Sequence, residues 1–469
     1  MSIRLKPYPK YKESGIQWLG KAPAHWNRVP FRAFARTKSL RGRPEMPLLS
    51  VYREYGVIMR SSRDDNYNPE GSDLSAYKVV SPGDLVLNKM KTWQGSLGVS
   101  RYHGIVSPAY IVCSLSDTVF PWYIHYLLRS RPYVNHYDEI SFGIRIGQWD
   151  MHYEHLKQVP VYLPPIGEQN RIVRYLKFKD CCINSLIRAK RRQIKLRNEQ
   201  KQVIINQAVT RGLDPNARMK PSGVEWLGDI PEEWRLARLK FLGQIRYGLS
   251  QPPRESPVGV PFIRATNIKR GKIVEEGMLS VSTDDVPPGR NAFLRAREII
   301  VVRSGAYTAD SALIPTEYDG SVAGYDMVLS VESAYPEFIA LTLLSKYVLV
   351  DQLFLVRDRA AQPHLNAQDL GNTLILLPPY DEQRRLADSV QTSTADLDRA
   401  IDVIQREINL LHEYRTRLIA DVVTGKLDVR GVELPDIDVS EGLDELDEEE
   451  EVGQEEIIEP EEMDVDEDN

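Results

Sequence analysis

The frame Ser-Gly-x-x-Trp-Leu-Gly-x-x-Pro-x-x-Trp occurs twice, from Ser14 to Trp26 and from Ser222 to Trp234, 208 residues apart. Matched pairs of a residue as rare as tryptophan do not recur in this spacing by accident, so the chain reads as a tandem duplication. A second phrase tests that reading. Leu163–Arg171 (LPPIGEQNR) returns as Leu377–Arg385 (LPPYDEQRR), an offset of 214, and Val209–Asp214 (VTRGLD) returns as Val423–Asp428 (VTGKLD). At the same offset Gly83–Met90 (GDLVLNKM) falls on Arg297–Ser304 (REIIVVRS). A period near 210 is far longer than the roughly 20–50 residues of a solenoid repeat. Each copy is the size of a domain, and the two fill the chain to about residue 430.

Within each copy the texture changes after Leu-Pro-Pro. Residues 168–209 and 382–423 contain no Pro or Gly, although the chain has 30 and 29 of them. The two windows are predicted long helices, with Gly167 and Asp381 as N-caps and Glu168 and Glu382 complementing the positive helix ends. Val390, Leu397, Ile404, Leu411 and Leu418 recur every seven residues, with Ile401, Ile408 and Val422 interleaved, the pattern of a coiled-coil seam. In the first window Ile172, Ile183, Ile194 and Ile205 recur every eleven, beside Leu176 and Ile187. The first window holds eleven basic and three acidic residues and the second six and eight, so the two are charge-complementary. Period alone serves equally for an all-helical core; equal length favours mutual pairing.

Before each helix, short β-branched runs bounded by Gly, Pro and Ser (GDLVLNKM, GIVSPAYIVCSL, REIIVVRSG, GSVAGYDMVLSV) read as strands, and PWYIHYLLRS and PEFIALTLLSK as short helices. The fold class is α+β. The expected segments are two mixed domains at 1–166 and 213–380, helical segments at 167–212 and 381–428, and an acidic tail at 433–469.

Charge is divided unevenly. The last basic residue is Arg430, and twenty of the 66 acidic residues lie from Glu433 onward, so residues 1–432 carry 60 basic against 46 acidic side chains, near +14. A basic body fits a nucleic-acid partner. The tail has too little apolar content for a core and is expected to be disordered, a solubility segment or a competitor of nucleic acid for the body. No signal peptide or membrane span is evident, which makes the cytoplasm the expected compartment. Cys113, Cys181 and Cys182 offer no disulfide framework and no metal pair, and the eight histidines have no metal-ligand spacing.

The strand-rich halves match in pattern more than in letters, so one scaffold carries two different loop sets. A variable α+β domain, an LPPxxEQxR phrase and a long helix ending in VTxGxLD-like text, all written twice, resemble the specificity subunit of type I restriction-modification enzymes over residues 1–430. The resemblance implies two pseudo-twofold-related target-recognition domains, each reading half of a bipartite double-stranded DNA sequence, and two helices packed antiparallel as a spacer. It also implies assembly with methyltransferase subunits, two of them expected, and with translocase/nuclease subunits. S-adenosylmethionine, ATP and Mg2+ would be used on those partners, with no cofactor on this chain.

A catalytic reading fails on the motifs. Pro378-Pro379-Tyr380 resembles part of an amino-methyltransferase motif, but Leu377 stands where an Asp or Asn must hold the target amino group, and the other copy reads Leu163-Pro164-Pro165-Ile166. No phosphate-binding loop is present. Base edges and phosphates call for Arg, Lys, Asn, Gln and aromatic side chains on loops. Candidates for DNA contact are Lys89, Lys91, Trp93, Gln94, Arg145 and Gln148 in the first copy, and Arg264, Asn267, Arg303, Tyr307 and Gln362 in the second. The rival readings are a stand-alone modification enzyme and a coiled-coil adaptor with no DNA role.

Overall fold

The computed structural model describes residues 5–62, 73–142, 149–287, 289–357 and 363–435. It divides into two compact units, one formed by Met1–Ala189 with Arg406–Asn469 and the other by Lys190–Gln405. The content is α+β, with two long helices, Ile166–Arg211 and Tyr380–Val423.

In the first unit an antiparallel sheet runs in the order Ala35–Lys38, Tyr110–Leu115, Leu85–Asn88, Leu97–Val99. The second repeats it as Gly243–Tyr247, Met327–Val331, Ile299–Val301, Ser311–Leu313. The order is identical, and both middle strands are continuous apolar runs because both sheet faces are covered. Side chains alternate between faces. Leu85 and Leu87 join the cluster containing Trp26 and Tyr123, while Val86 joins Leu49, Val51 and Val57 on the other side. In the second unit Ile299 and Val301 join the cluster of Trp234 and Phe338, and Ile300 and Val302 join that of Ile263 and Ile314.

The duplicated Ser-Gly frame is a turn written into the backbone. Gly15, Gly20, Gly223 and Gly228 all have φ between +68° and +77°, a region that costs glycine little. Ser14 and Ser222 accept hydrogen bonds from the amides of Ile16 and Val224, and the amides of Trp26 and Trp234 donate to Pro23 and Pro231. Trp26 and Trp234 are fully buried. Trp18 stacks on His136, whereas its counterpart Trp226 is exposed.

The LPPxxEQxR phrase joins strand to helix. Pro160–Leu163 pairs with Asn27–Pro30, and Leu374–Leu377 pairs with Arg235–Arg238. The helices start at Ile166 and Tyr380, so Gly167 and Asp381 lie inside the first turn rather than capping it. The amides of Glu168 and Gln169 donate to Pro165, and those of Glu382 and Gln383 to Pro379. Gln169 completes the junction by donating to the Pro164 carbonyl and accepting from the Phe120 amide; Gln383 does the same with Pro378 and Tyr335. Proline fixes the entry and glutamine supplies the missing donor and acceptor.

The apolar stripes face inward. Val390, Ile404, Ile408, Leu418 and Val422 are buried, as are Ile172, Leu176, Ile183, Ile187 and Ile205, and Leu397, Ile401, Leu411 and Ile194 are half-buried. In the first unit Leu418, Val422 and Val423 from the end of the second long helix enter the core with Ile172 and Leu176. In the second unit Ile205 and Val209 enter the core with Leu386 and Val390. Arg415 pairs with Asp180 at 2.9 Å in the first unit, and Lys201 with Asp398 at 2.8 Å in the second. After the second helix the chain stays on the first unit: Val432 is buried, Leu434 packs against the core, and Arg171 and Arg174 donate to the carbonyls of Val432 and Pro435. Of the tail expected at 433–469, Leu434 and Pro435 thus lie against the first unit, and 436–469 lie outside the described residues. Among the described residues no single helix is long and apolar enough to cross a membrane.

Candidate nucleic-acid interface

Both sheets deliver the same loop to the same end. It follows Leu85–Asn88 in the first unit and Ile299–Val301 in the second, and the opposite end of each of these strands carries a largely buried ion pair at equivalent positions. Lys38 meets Asp84 at 2.7 Å, and Arg246 meets Glu298 at 2.6 Å. Burial pushes the Glu298 carboxyl up, but hydrogen bonds from Arg246, Ser330 and the Arg295 amide outweigh it and hold the group below its ordinary range. The loop turns through a left-handed residue in each copy, Gly95 at φ +97° and Ala309 at φ +81°. Its start is clamped by a distant segment: the amide of Met151 donates to the Lys89 carbonyl, and that of Leu365 to the Arg303 carbonyl, both at 2.8 Å.

Side chains diverge on this shared frame. In the first unit Lys89 forms an ion pair with Asp150 at 2.8 Å, each about one-third exposed. Lys91 and Gln94 are exposed, one just before the 3-10 turn Thr92–Gln94 and the other its last residue. Trp93 donates to the Met90 carbonyl and rests its ring 5.0 Å from that of Trp149. Lys89, Lys91, Trp93 and Gln94 thus share one loop; Arg145 and Gln148 lie outside the described residues.

In the second unit Arg303 occupies the place of Lys89, and His364 that of Asp150. The guanidinium lies over two rings, 4.7 Å from the Tyr247 centroid and 4.3 Å from that of Tyr325, and its Nη2 donates to His364 Nε2 across 3.1 Å. Because guanidinium only donates, that imidazole nitrogen must accept. The Arg303 amide donates to Asp326, whose carboxyl is pushed by burial up to about 6 against hydrogen bonds from the amides of Arg303 and Ala265. Arg264 reaches the Gly277 carbonyl at 3.1 Å. Buried Nε atoms of Arg264 and Arg303, the Thr266 hydroxyl and one Asp326 oxygen have no hydrogen-bond partner among the described residues.

One candidate in this unit is committed to its interior. Asn267 is fully buried, its amide nitrogen donating to the carbonyls of Val274 and Glu276 and its oxygen accepting from the Arg264 amide. It braces the loop from inside, with no surface to offer a base edge. Tyr307 is half-buried against the cluster of Ile263 and Ile300. Gln362 lies outside the described residues. Sequence reading passed over Asp150, His364, Tyr247, Tyr325 and Asp326. The 214 offset that aligns Lys89 with Arg303 also aligns Asp150 with His364, and that signal was available.

Other chemistry is sparse. Among the described residues no group of three His, Cys, Asp or Glu side chains could hold a metal ion. Burial pushes the Cys113 thiol up to about 12, away from reactivity. Tyr380, the aromatic of the Leu-Pro-Pro-Tyr phrase, opens the second long helix and is exposed.

No protein-family model matches the chain. It is 23% identical over 285 residues to the type I restriction enzyme MjaVIII specificity subunit of Methanocaldococcus jannaschii, covering 59% of this chain and 64% of that one. It is 21% identical over 423 residues to the type I restriction enzyme EcoKI specificity subunit of Escherichia coli K12, covering 83% and 86%. A solved chain from a study of complex assembly and conformational transition of the type I R-M system has the same fold, with a TM-score of 0.57 at 15% identity over 86% of this chain and 98% of that one. With the duplicated architecture these relationships lead to one conclusion: the chain is similar to type I restriction-enzyme specificity subunits.

Proposed function

We propose that this chain is the non-catalytic DNA-recognition subunit of a type I restriction-modification complex, each unit reading one half of a bipartite duplex sequence. The observation that carries the reading is the pair of loops at one sheet end, built on one frame and furnished differently: Lys89 with Asp150, Arg303 with His364. Two copies of a scaffold with different side chains on the same loop suit two different half-sites. The basic surplus of residues 1–432 supplies the attraction to phosphate that any duplex reader needs.

The two long helices serve as an antiparallel coiled-coil spacer. Pairing of Asp180 with Arg415 and of Lys201 with Asp398 supports that arrangement, since one residue number rises as its partner falls. Domains at 1–166 and 213–380 are the readers. Methylation and cleavage belong to partner subunits, two methyltransferase subunits and the translocase/nuclease subunits, which would use S-adenosylmethionine, ATP and Mg2+. The complex works in the cytoplasm.

The test is to incubate the chain, alone and with its cognate methyltransferase subunits, with genomic DNA and labelled methyl donor. Label should enter DNA only in the complex and at one split sequence. Transfer by the chain alone would make it an enzyme, and an assembled complex that binds duplex without sequence preference would leave it an adaptor.

A further inference from the structure

We infer that Arg303 is the residue by which the second unit reads a guanine, held ready for that base by Tyr247, Tyr325 and His364. The inference rests on the DNA-recognition reading above and narrows it to one side chain and one base.

Two aromatic rings, with centroids 4.7 and 4.3 Å from the guanidinium carbon, and the hydrogen bond to His364 restrict the freedom of the group. Cation–π contact with both rings stabilises the charge without neutralising it. The guanidinium of Arg303 makes its one side-chain hydrogen bond among the described residues to a neutral acceptor, His364, while the Asp326 carboxyl hydrogen-bonds the Arg303 amide and attracts its charge from further off. The loop below is equally fixed, by the Leu365 amide on the Arg303 carbonyl and by Asp326 on the Arg303 amide. A flat, fully charged donor held at the end of a sheet suits an acceptor pair lying in its own plane. Among base edges in the major groove, guanine alone presents two acceptors, O6 and N7, side by side. A phosphate contact needs charge but no such restriction.

The first unit supplies the contrast. Lys89 stands on the same backbone frame, yet it is a point charge already paired with Asp150. Whether position 150 or 364 holds a carboxylate or an imidazole therefore decides whether the cation beside it is free to read. His364 is in this sense a positioning residue: an imidazole orients Arg303 and leaves its charge intact, whereas a carboxylate would consume it.

The experiment uses the full-length chain assembled with its methyltransferase subunits and a randomised duplex library whose bound fraction is sequenced. Wild type should select a split sequence with a G·C pair at a fixed position in one half. Arg303→Gln should erase that single preference and weaken binding to the wild-type sequence about 10- to 100-fold, leaving the other half unchanged. His364→Asp should reproduce the loss with Arg303 still present, and the first unit shows that this frame accommodates an aspartate beside a cation, so the variant remains a test if Arg303→Gln fails to fold. A uniform loss over all sequences would make Arg303 a phosphate contact, and an unaltered half-site in both variants would remove it from recognition; either overturns the inference while the broader reading stands. A wild-type complex that selects no split sequence overturns both.

Discussion

The indole nitrogen of Trp26 donates to the carboxylate of Glu168 across 3.0 Å, joining the two duplicated phrases of the sequence at one buried point. Tyr8 and His25 reach the same carboxylate at 2.7 Å each. In the second unit Gly212 sits against the counterparts, where a Cβ would come within 3.4 Å of the Trp234 ring and 3.5 Å of the Glu382 carboxylate. The phrases recur together because they fold together, a tryptophan turn seated on the first turn of a long helix.

Glu168→Ala should therefore destabilise the first unit by about 3 kcal/mol, since it strands the donors of Tyr8 and Trp26 in a desolvated site. Glu168→Gln, which keeps an acceptor, should cost about 1 kcal/mol. Urea unfolding followed by tryptophan fluorescence measures both. Equal stability for all three proteins would show that the shared carboxylate is dispensable.

The loop turn offers a second measurement. Gly95 at φ +97° occupies a conformation that an alanine adopts at a cost of about 1–2 kcal/mol. Gly95→Ala should lower stability by that amount, with no clash to add to it, because the nearest atom to the new Cβ is Val134 Cγ2 at 3.4 Å. The second unit already bears this strain at Ala309, so Gly95→Ala should preserve the loop shape and the recognised half-site. A changed half-site would show that the loop moved.

Arg246 and Glu298 give a pH dependence with a defined sign. The Glu298 carboxyl is held below its ordinary value of 4.5 in the folded chain, so the pair contributes fully above that value and its contribution is lost as the pH falls through the lower folded value. Arg246→Met leaves a mostly buried carboxylate without its cation and should cost about 3–5 kcal/mol at neutral pH. Stability curves of wild type and variant against pH should run parallel above pH 4.5 and converge below it. Curves that stay parallel into acid would assign the loss to packing instead.

What the sequence disclosed follows from the range of the interactions involved. Strands such as Leu85–Asn88 and Ile299–Val301 are legible because apolar runs report local burial, and the long helices because a heptad is a local period. The helix starts were misplaced by a residue or two: Gly167 and Asp381 look like caps, but prolines preceding them and the glutamines following them do that work. The interface was legible only as a loop. Lys89 reads as a free cation until Asp150, 61 positions on, is seen beside it, and Asn267 reads as a base contact until its amide is found inside the loop. Both depend on contacts that no local pattern encodes.

The acidic tail makes a prediction about salt. Deleting residues 436–469 removes the acidic run but keeps Val432 and Leu434, which belong to the core of the first unit. If the tail competes with DNA for the basic body, the shortened chain should bind non-specific duplex more tightly at low salt and equally at high salt, because screening removes the competition. Superimposable salt curves for both forms would confine the tail to solubility.

The helices carry the last prediction. As a spacer they would act as a ruler for the unread gap between half-sites, since the loops proposed to read DNA lie elsewhere. Four residues inserted near Lys201, with a matching insertion beside its partner Asp398, lengthen each helix by about 6 Å and roughly preserve the phase of the apolar stripe. Each base pair advances about 3.4 Å along the duplex. The accepted gap should grow by one or two base pairs, with the twist of the duplex favouring the smaller change, and both half-sites should stay as they are. Methylation of a library with randomised gap lengths by wild-type and inserted complexes reads the outcome directly. An active complex with an unchanged gap, or with an altered half-site, would show that the helices do not set the spacing.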